Sequence, residues 1–160
     1  MAANPETVQA PQEKVLVITR VFDAPRALVF RTLTQPEHLA RWWGPEGFTL
    51  PSCEVDLRPG GVFRCTMRSP KGSEHRLHCV YREIVEPERL VYSWTWIDAD
   101  DKPGHESLVT ITLEEAGAQE GEKTRFTMHQ AVFESESARD AHNEGWSGGL
   151  DRLEPYLQSL

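Results

Sequence analysis

Between residues 50 and 133 one pattern recurs six times: apolar and β-branched residues at every second position, closed by a turn-forming cluster. A period of two is the signature of a half-buried strand. The stretches fall near 52 to 57, 61 to 68, 74 to 86, 89 to 98, 106 to 115 and 122 to 133. Between them lie Arg58-Pro59-Gly60-Gly61, Ser69-Pro70-Lys71-Gly72, Glu86-Pro87-Glu88, Asp98 to Gly104 and Ala116 to Gly121. Connections this short join antiparallel neighbours, because a parallel pair needs a long crossover. The chain must therefore build an antiparallel meander, and such a sheet has one face to hide.

What hides it follows directly. From about Ser135 the period changes, and Trp146, Leu150, Leu153, Leu157 and Leu160 step by four, three, four and three, as one face of a helix does. Pro155 lies inside that helix, where its missing donor is expected to kink or fray the last turn. Upstream, KVLVITRVF (14 to 22) reads as a further strand. DAPRALVFRTL reads as a short helix capped by Asp23, with Val29, Phe30 and Leu33 on one face. Thr34-Gln35-Pro36-Glu37 fits a capping box opening a second short helix, 35 to about 43, which Gly44-Pro45 closes. The fold class expected is α+β: a seven-stranded antiparallel sheet wrapped around a long C-terminal helix, with two short helices between strands 1 and 2. Residues 1 to 13, with Pro5 and Pro11, are expected to form a disordered N-terminal tail, and 14 to 160 a single domain.

A net charge of −8 gives no attraction to phosphate backbones or anionic lipid, so neither nucleic acid nor a membrane is an expected partner. No run approaches the ~20 apolar residues of a membrane span, the N-terminal residues lack the pattern of a signal peptide, and a cytoplasmic location is expected. Cys53, Cys65 and Cys79 lack ligand spacing and read as reduced core residues, a thiol nucleophile being the alternative.

Strand parity assigns the side chains that meet the helix. Phe63, Cys65 and Met67 form one inward set, Tyr92, Trp94 and Trp96 a second, and Phe126, Met128 and Gln130 a third. On 74 to 86, Leu77, Cys79 and Tyr81 conflict with Val80 and Ile84, and a bulge would reconcile them. With Trp146, Gly149, Leu150 and Leu153 from the helix, these residues suit an apolar guest held by one or two hydrogen bonds; they suit a packed core equally. Gly145, Gly148 and Gly149 sharpen the question, since three interior glycines cost a helix about 3 kcal/mol relative to alanine. Either the helix backbone packs closely on the sheet, or the glycines clear space for a ligand or provide a hinge. Of the adjacent Trp42 and Trp43, which point about 100° apart on a helix, one is expected in the core and Trp43 over a cavity mouth.

Other chemistry has thinner support. His75 and His78, three apart on a strand, face opposite sides and lack further ligands, so no metal is expected, and no nucleotide or dinucleotide fingerprint appears. No cofactor is expected. Glu83 either turns inward beside Tyr81 as a general acid or base, or pairs with Arg82 or Arg89 at the surface.

The order of elements combines with Trp42-Trp43-Gly44-Pro45, Asp56-Leu57-Arg58-Pro59-Gly60-Gly61, Glu83 to Val91 (EIVEPERLV), and Gly145-Trp146 followed by Leu150 and Leu153. Over about residues 14 to 157 this resembles the C-terminal-domain-like family of the heat-shock-protein-90 ATPase activator. That family belongs to the START and birch-allergen-like helix-grip superfamily, also called SRPBCC. The resemblance implies a helix-grip fold with a cavity between sheet and helix, used across the superfamily for lipids, polyketides and similar molecules. Eukaryotic activators carry a separate N-terminal domain that does much of the chaperone binding, whereas about a dozen residues precede the first strand here. Three expectations follow: a stand-alone domain binding a small apolar molecule; a cofactor-free cyclase or hydrolase using Glu83, Tyr92 or His78; or a partner of a heat-shock protein 90 chaperone.

Overall fold

The computed structural model describes residues 12–160. Of the tail expected over 1 to 13, residues 1 to 11 lie outside the described part. Gln12–Lys14 form a 3₁₀ turn. The Lys14 carbonyl accepts from the Phe133 backbone N–H at 3.0 Å, which ties the turn to the chain beyond the last strand.

Strand β1 (Val15–Phe22) is followed by helices α1 (Arg26–Thr34) and α2 (Pro36–Trp42). Six strands come next: β2 (Thr49–Val55), β3 (Val62–Arg68), β4 (Glu74–Val85), β5 (Arg89–Ile97), β6 (Pro103–Glu115) and β7 (Thr124–Ala131). Helix α3 (Glu136–Gln158) ends the fold. The seven strands make one sheet in the order β1-β7-β6-β5-β4-β3-β2, every pair antiparallel. Consecutive strands neighbour one another from β2 to β7, and β1 closes on β7, so β1 and β2 are opposite edges. Helices α1 and α2 therefore carry the chain from one edge to the other. The result is the α+β helix-grip architecture.

The parity of the strands follows the alternation of the sequence. Phe63, Cys65 and Met67 are buried on β3, and so are Phe126, Met128 and Gln130 on β7. On β4 the register is the informative feature. Tyr81 pairs with Tyr92 and Glu83 with Val91, so Arg82 is an extra residue and the parity flips past it. Leu77, Cys79 and Tyr81 face inward before the bulge, Ile84 rejoins that face after it, and Glu83 turns outward to pair with Arg89 at 3.0 Å. Strands β6 and β2 begin earlier than the sequence indicates, at Pro103 and Thr49, because ladder pairs Ile97–Pro103 and Thr49–Arg68 extend them across an irregular register.

Both expected caps at the helix starts are displaced. Asp23 does not cap α1: the N-cap is Pro25, and the Asp23 carbonyl accepts from Gln158 Nε2 at 3.0 Å. The Thr34–Glu37 box does not form, because Thr34 is the last residue of α1 and its hydroxyl donates to the Phe30 carbonyl at 2.8 Å. The extended backbone that an N-cap needs falls on Gln35, the residue before Pro36, where proline sterics exclude the helical region. Helix α3 starts with a formed cap, Ser135 Oγ accepting from Ala138 N–H. It runs through Pro155 without interruption. Its buried stripe is Trp146, Gly149, Leu150, Leu153 and Leu157; Leu160 falls beyond the helix and is exposed. No described helix is long and apolar enough to cross a membrane.

Candidate functional site

Helix α2 ends at Trp42, Trp43 is its extended C-cap, and Gly44 continues at φ +96°, a left-handed conformation that glycine adopts without strain. This turn throws the segment 44 to 48 under α3. A Cβ added at Gly149 would lie 3.3 Å from the Gly44 carbonyl oxygen and 3.5 Å from that of Trp42, and one at Gly148 3.4 Å from Glu46 N. The glycines thus let the helix backbone rest on the loop backbone, and it is this loop, not the sheet, that they accommodate. Arg152 Nη1 fixes the contact by donating to the carbonyls of Gly44, Pro45 and Phe48 at 3.3, 3.2 and 3.4 Å.

Propped in this way, the first half of α3 stands off the sheet and leaves a cavity of about 350 Å³. All five tryptophans of the chain, Trp42, Trp43, Trp94, Trp96 and Trp146, line it. Phe48, Met67, His75, His142 and the small residues Gly44, Pro45, Ala141, Gly145 and Gly149 complete the wall. No aspartate, glutamate, lysine or arginine is among these residues. The exposed residues His75 and Ala141 mark the open side. Trp43 is the hub: its ring centroid lies 5.4 Å from Trp42, 5.3 Å from Phe63, 5.9 Å from Trp94 and 5.3 Å from Trp146, mostly edge to face. Such pairs contribute about 0.5–1.5 kcal/mol each beyond their buried area.

The polar atoms of this wall are mostly engaged by protein partners. Trp42 Nε1 donates to the Thr32 carbonyl at 2.8 Å. Trp146 Nε1 donates to Gln130 Oε1 at 2.9 Å, while Gln130 Nε2 donates to Ser107 Oγ at 2.9 Å. Trp96 Nε1 donates to His142 Nε2 at 3.0 Å, and His142 Nδ1 lies 2.7 Å from the Ala138 carbonyl. An indole nitrogen only donates and a carbonyl only accepts, so these two contacts fix His142 as the neutral Nδ1–H tautomer. Burial holds its pKa below the ordinary 6.5, against smaller opposing effects of the Ala138 bond and Glu134. Trp94 differs: its Nε1–H is buried and has no acceptor among the described residues.

Of the residues expected to bind a ligand, Trp43, Met67, Trp94, Trp146 and Gly149 line the cavity. Trp43 is only 4% exposed and forms the inner wall instead of leaning over the mouth. The other expected residues are buried outside the cavity. Phe63, Cys65, Leu77 and Cys79 fill the sheet side, together with Tyr81 and Tyr92, while Phe126, Met128, Gln130, Leu150 and Leu153 pack where the helix has come down onto the sheet. Parity identifies a face; it does not tell where along that face the two layers part.

Several lining residues escaped the sequence reading although signals existed. His75 shares the parity of Leu77, whereas Trp96, expected to face inward with Trp94, does line the cavity. His142 precedes Trp146 by one helical turn. Phe48 and Pro45 lie in a loop and had no periodic signal. The candidate acids and bases lie elsewhere: Glu83 and His78 project from the opposite face of the sheet, and Tyr92 does not reach the cavity. The three cysteines are free, and burial pushes the Cys53 thiol up to about 11 and those of Cys65 and Cys79 well above their ordinary range. No group of three metal-ligating side chains occurs among the described residues.

Residues 23–158 match the family described as "Activator of Hsp90 ATPase homolog 1-like protein". No curated protein matches the sequence. Among solved structures, the AHSA1 protein from Silicibacter pomeroyi is 25% identical, with 90% of this chain and 97% of that chain covered, at a TM-score of 0.81. A protein from Nitrosomonas europaea is 29% identical, with 93% and 97% covered and a TM-score of 0.75. One from Rhizobium leguminosarum is 30% identical, with 91% and 95% covered and a TM-score of 0.72.

Proposed function

The chain belongs to the family of Activator of Hsp90 ATPase homolog 1-like proteins, and on that premise we propose that it binds a small apolar molecule in the cavity beneath the first half of α3. One observation carries the reading: the five tryptophans of the chain converge on a single space of about 350 Å³ whose wall bears no fixed charge. Ligand pockets run from ~300 to 1,000 Å³ and are lined mainly by apolar and aromatic side chains with a few placed polar groups. A wall built only for stability would close on itself, since an unfilled apolar void forfeits dispersion contacts on every side. Here the loop 44 to 48, clamped by Arg152 and seated on Gly148 and Gly149, holds the helix away from that closure.

No member of the trio Glu83, His78 and Tyr92 lines this space, so the geometry lends no support to a cyclase or hydrolase built on them. Activation of a chaperone ATPase, which the family's description names, would use an outer surface and leave the cavity idle. Native mass spectrometry of freshly purified protein, followed by identification of any retained small molecule, tests the binding reading. Retention of one apolar compound per chain supports it. An empty protein whose melting temperature no apolar compound shifts, but which changes ATP hydrolysis by a heat-shock protein 90, would favour the chaperone role.

A further inference from the structure

Within the cavity wall the indole donors divide unevenly. Trp42, Trp96 and Trp146 each give their N–H to a protein acceptor. Trp94 alone of the five holds a buried N–H with no acceptor among the described residues. It sits at the middle of the wall, 5% exposed, with the rings of Trp43, Trp96, Trp146 and His142 at 5.9, 5.6, 5.5 and 5.8 Å. Buried donors in native proteins are nearly always satisfied, and an exception at a ligand-sized space calls for an explanation.

Resting on the reading that this space binds a small molecule, we propose that its ligand is a compact, uncharged aromatic compound carrying one hydrogen-bond acceptor, which takes the N–H of Trp94. Three features specify the class. The space is at the small end of ligand pockets, which favours a compact guest. Much of its wall presents ring edges and faces, and these reward an aromatic guest beyond the area it buries. With no charged group to compensate an ion, an anion or cation entering it would lose its hydration unrecovered. The Trp94 N–H is closed off in this structure, so an acceptor reaches it once a neighbouring ring turns aside.

Two nearly isosteric probes test this, 2-acetylnaphthalene and 2-ethylnaphthalene, which differ by a carbonyl oxygen, together with the aliphatic ketone 2-dodecanone. Isothermal titration is expected to give a roughly tenfold preference for the acetyl over the ethyl compound, the worth of one net hydrogen bond. Trp94→Phe should abolish that preference while both naphthalenes still bind. On the unaltered protein, the indole N–H resonance of Trp94 should move downfield with the acetyl probe only, a readout independent of how the variant folds. 2-Dodecanone should bind several-fold more weakly than 2-acetylnaphthalene. Equal binding of the two naphthalenes, an unmoved Trp94 resonance, or a preference for the aliphatic ketone would overturn this inference and leave the binding function standing. Failure of all three probes to bind would overturn both.

Discussion

Gly145→Ala and Gly149→Ala, a few residues apart on one helix, are expected to differ in effect: the first stabilises and the second does not. At Gly145 an added methyl would meet only Pro45 Cγ, at 3.8 Å, which is ordinary van der Waals contact. The helix then keeps the full benefit of replacing an interior glycine, about 1 kcal/mol. At a chain length of 160 residues that corresponds to a melting temperature higher by about 2–4 °C. At Gly149 the methyl would lie 3.3 Å from the Gly44 carbonyl oxygen and 3.5 Å from that of Trp42. Both neighbours are backbone, and Arg152 holds the same carbonyl of Gly44, so neither can yield as a side-chain tip would. The propensity gain is offset by displacing the clamped loop, and the net effect is expected to be zero or a loss. Urea denaturation read by far-ultraviolet circular dichroism gives both numbers, provided the m-values agree. Gly145→Ala should also weaken binding of 2-ethylnaphthalene, since residue 145 lines the cavity. Equal stabilisation by both substitutions would refute the account of why α3 carries glycines, and so would destabilisation by Gly145→Ala alone.

Further outcomes follow from the polar contacts. His142 is held neutral in the fold, with its pKa below 6.5, whereas the unfolded chain takes up its proton near that value. Its contribution to stability is therefore complete above pH ~6.5 and lost as pH falls through the lower folded value; urea midpoints should decline over that range, and His142→Gln should flatten the decline. Trp146→Phe leaves Gln130 Oε1 without its donor at a site that is 0% exposed, at a cost of about 1–3 kcal/mol, and Gln130→Leu in the same background should recover part of it. Arg152→Met removes three long contacts to loop carbonyls and is expected to cost about 1–2 kcal/mol, with faster amide hydrogen exchange confined to residues 44 to 48.

Much of the fold was legible because strand parity is a local property. Phe63, Cys65 and Met67 declare their face by alternation alone, and the clash between Tyr81 and Ile84 announced a bulge that the register places at Arg82. The stripe Trp146, Leu150, Leu153 and Leu157 identified the buried side of α3 in the same way. What misled was local chemistry overruled by its neighbour: Thr34 and Glu37 have the right spacing for a box, yet Pro36 assigns the cap to Gln35. The site was harder to read, because a void is not a property of any one segment. Leu153 and Trp146 lie on the same helical face, but only the latter borders open space, since the height of the helix at each point is set by the loop beneath it. That loop owes its position to one left-handed glycine and one arginine clamp, both remote from the strands that carry the periodic signal.

The strand order has a consequence for how the protein comes into being. From β2 to β7 each strand finds its partner within the next hairpin, so those pairings can form as the chain emerges from the ribosome. Strand β1 is made first yet pairs with β7, and the Thr124 hydroxyl donates to the Ala24 carbonyl across 100 residues. Contacts so distant in sequence form slowly, and until they do the earliest-made strand waits without a partner. Val17 and Val21, still exposed in the finished fold, would then leave nascent or truncated chains that stop short of residue 124 prone to self-association.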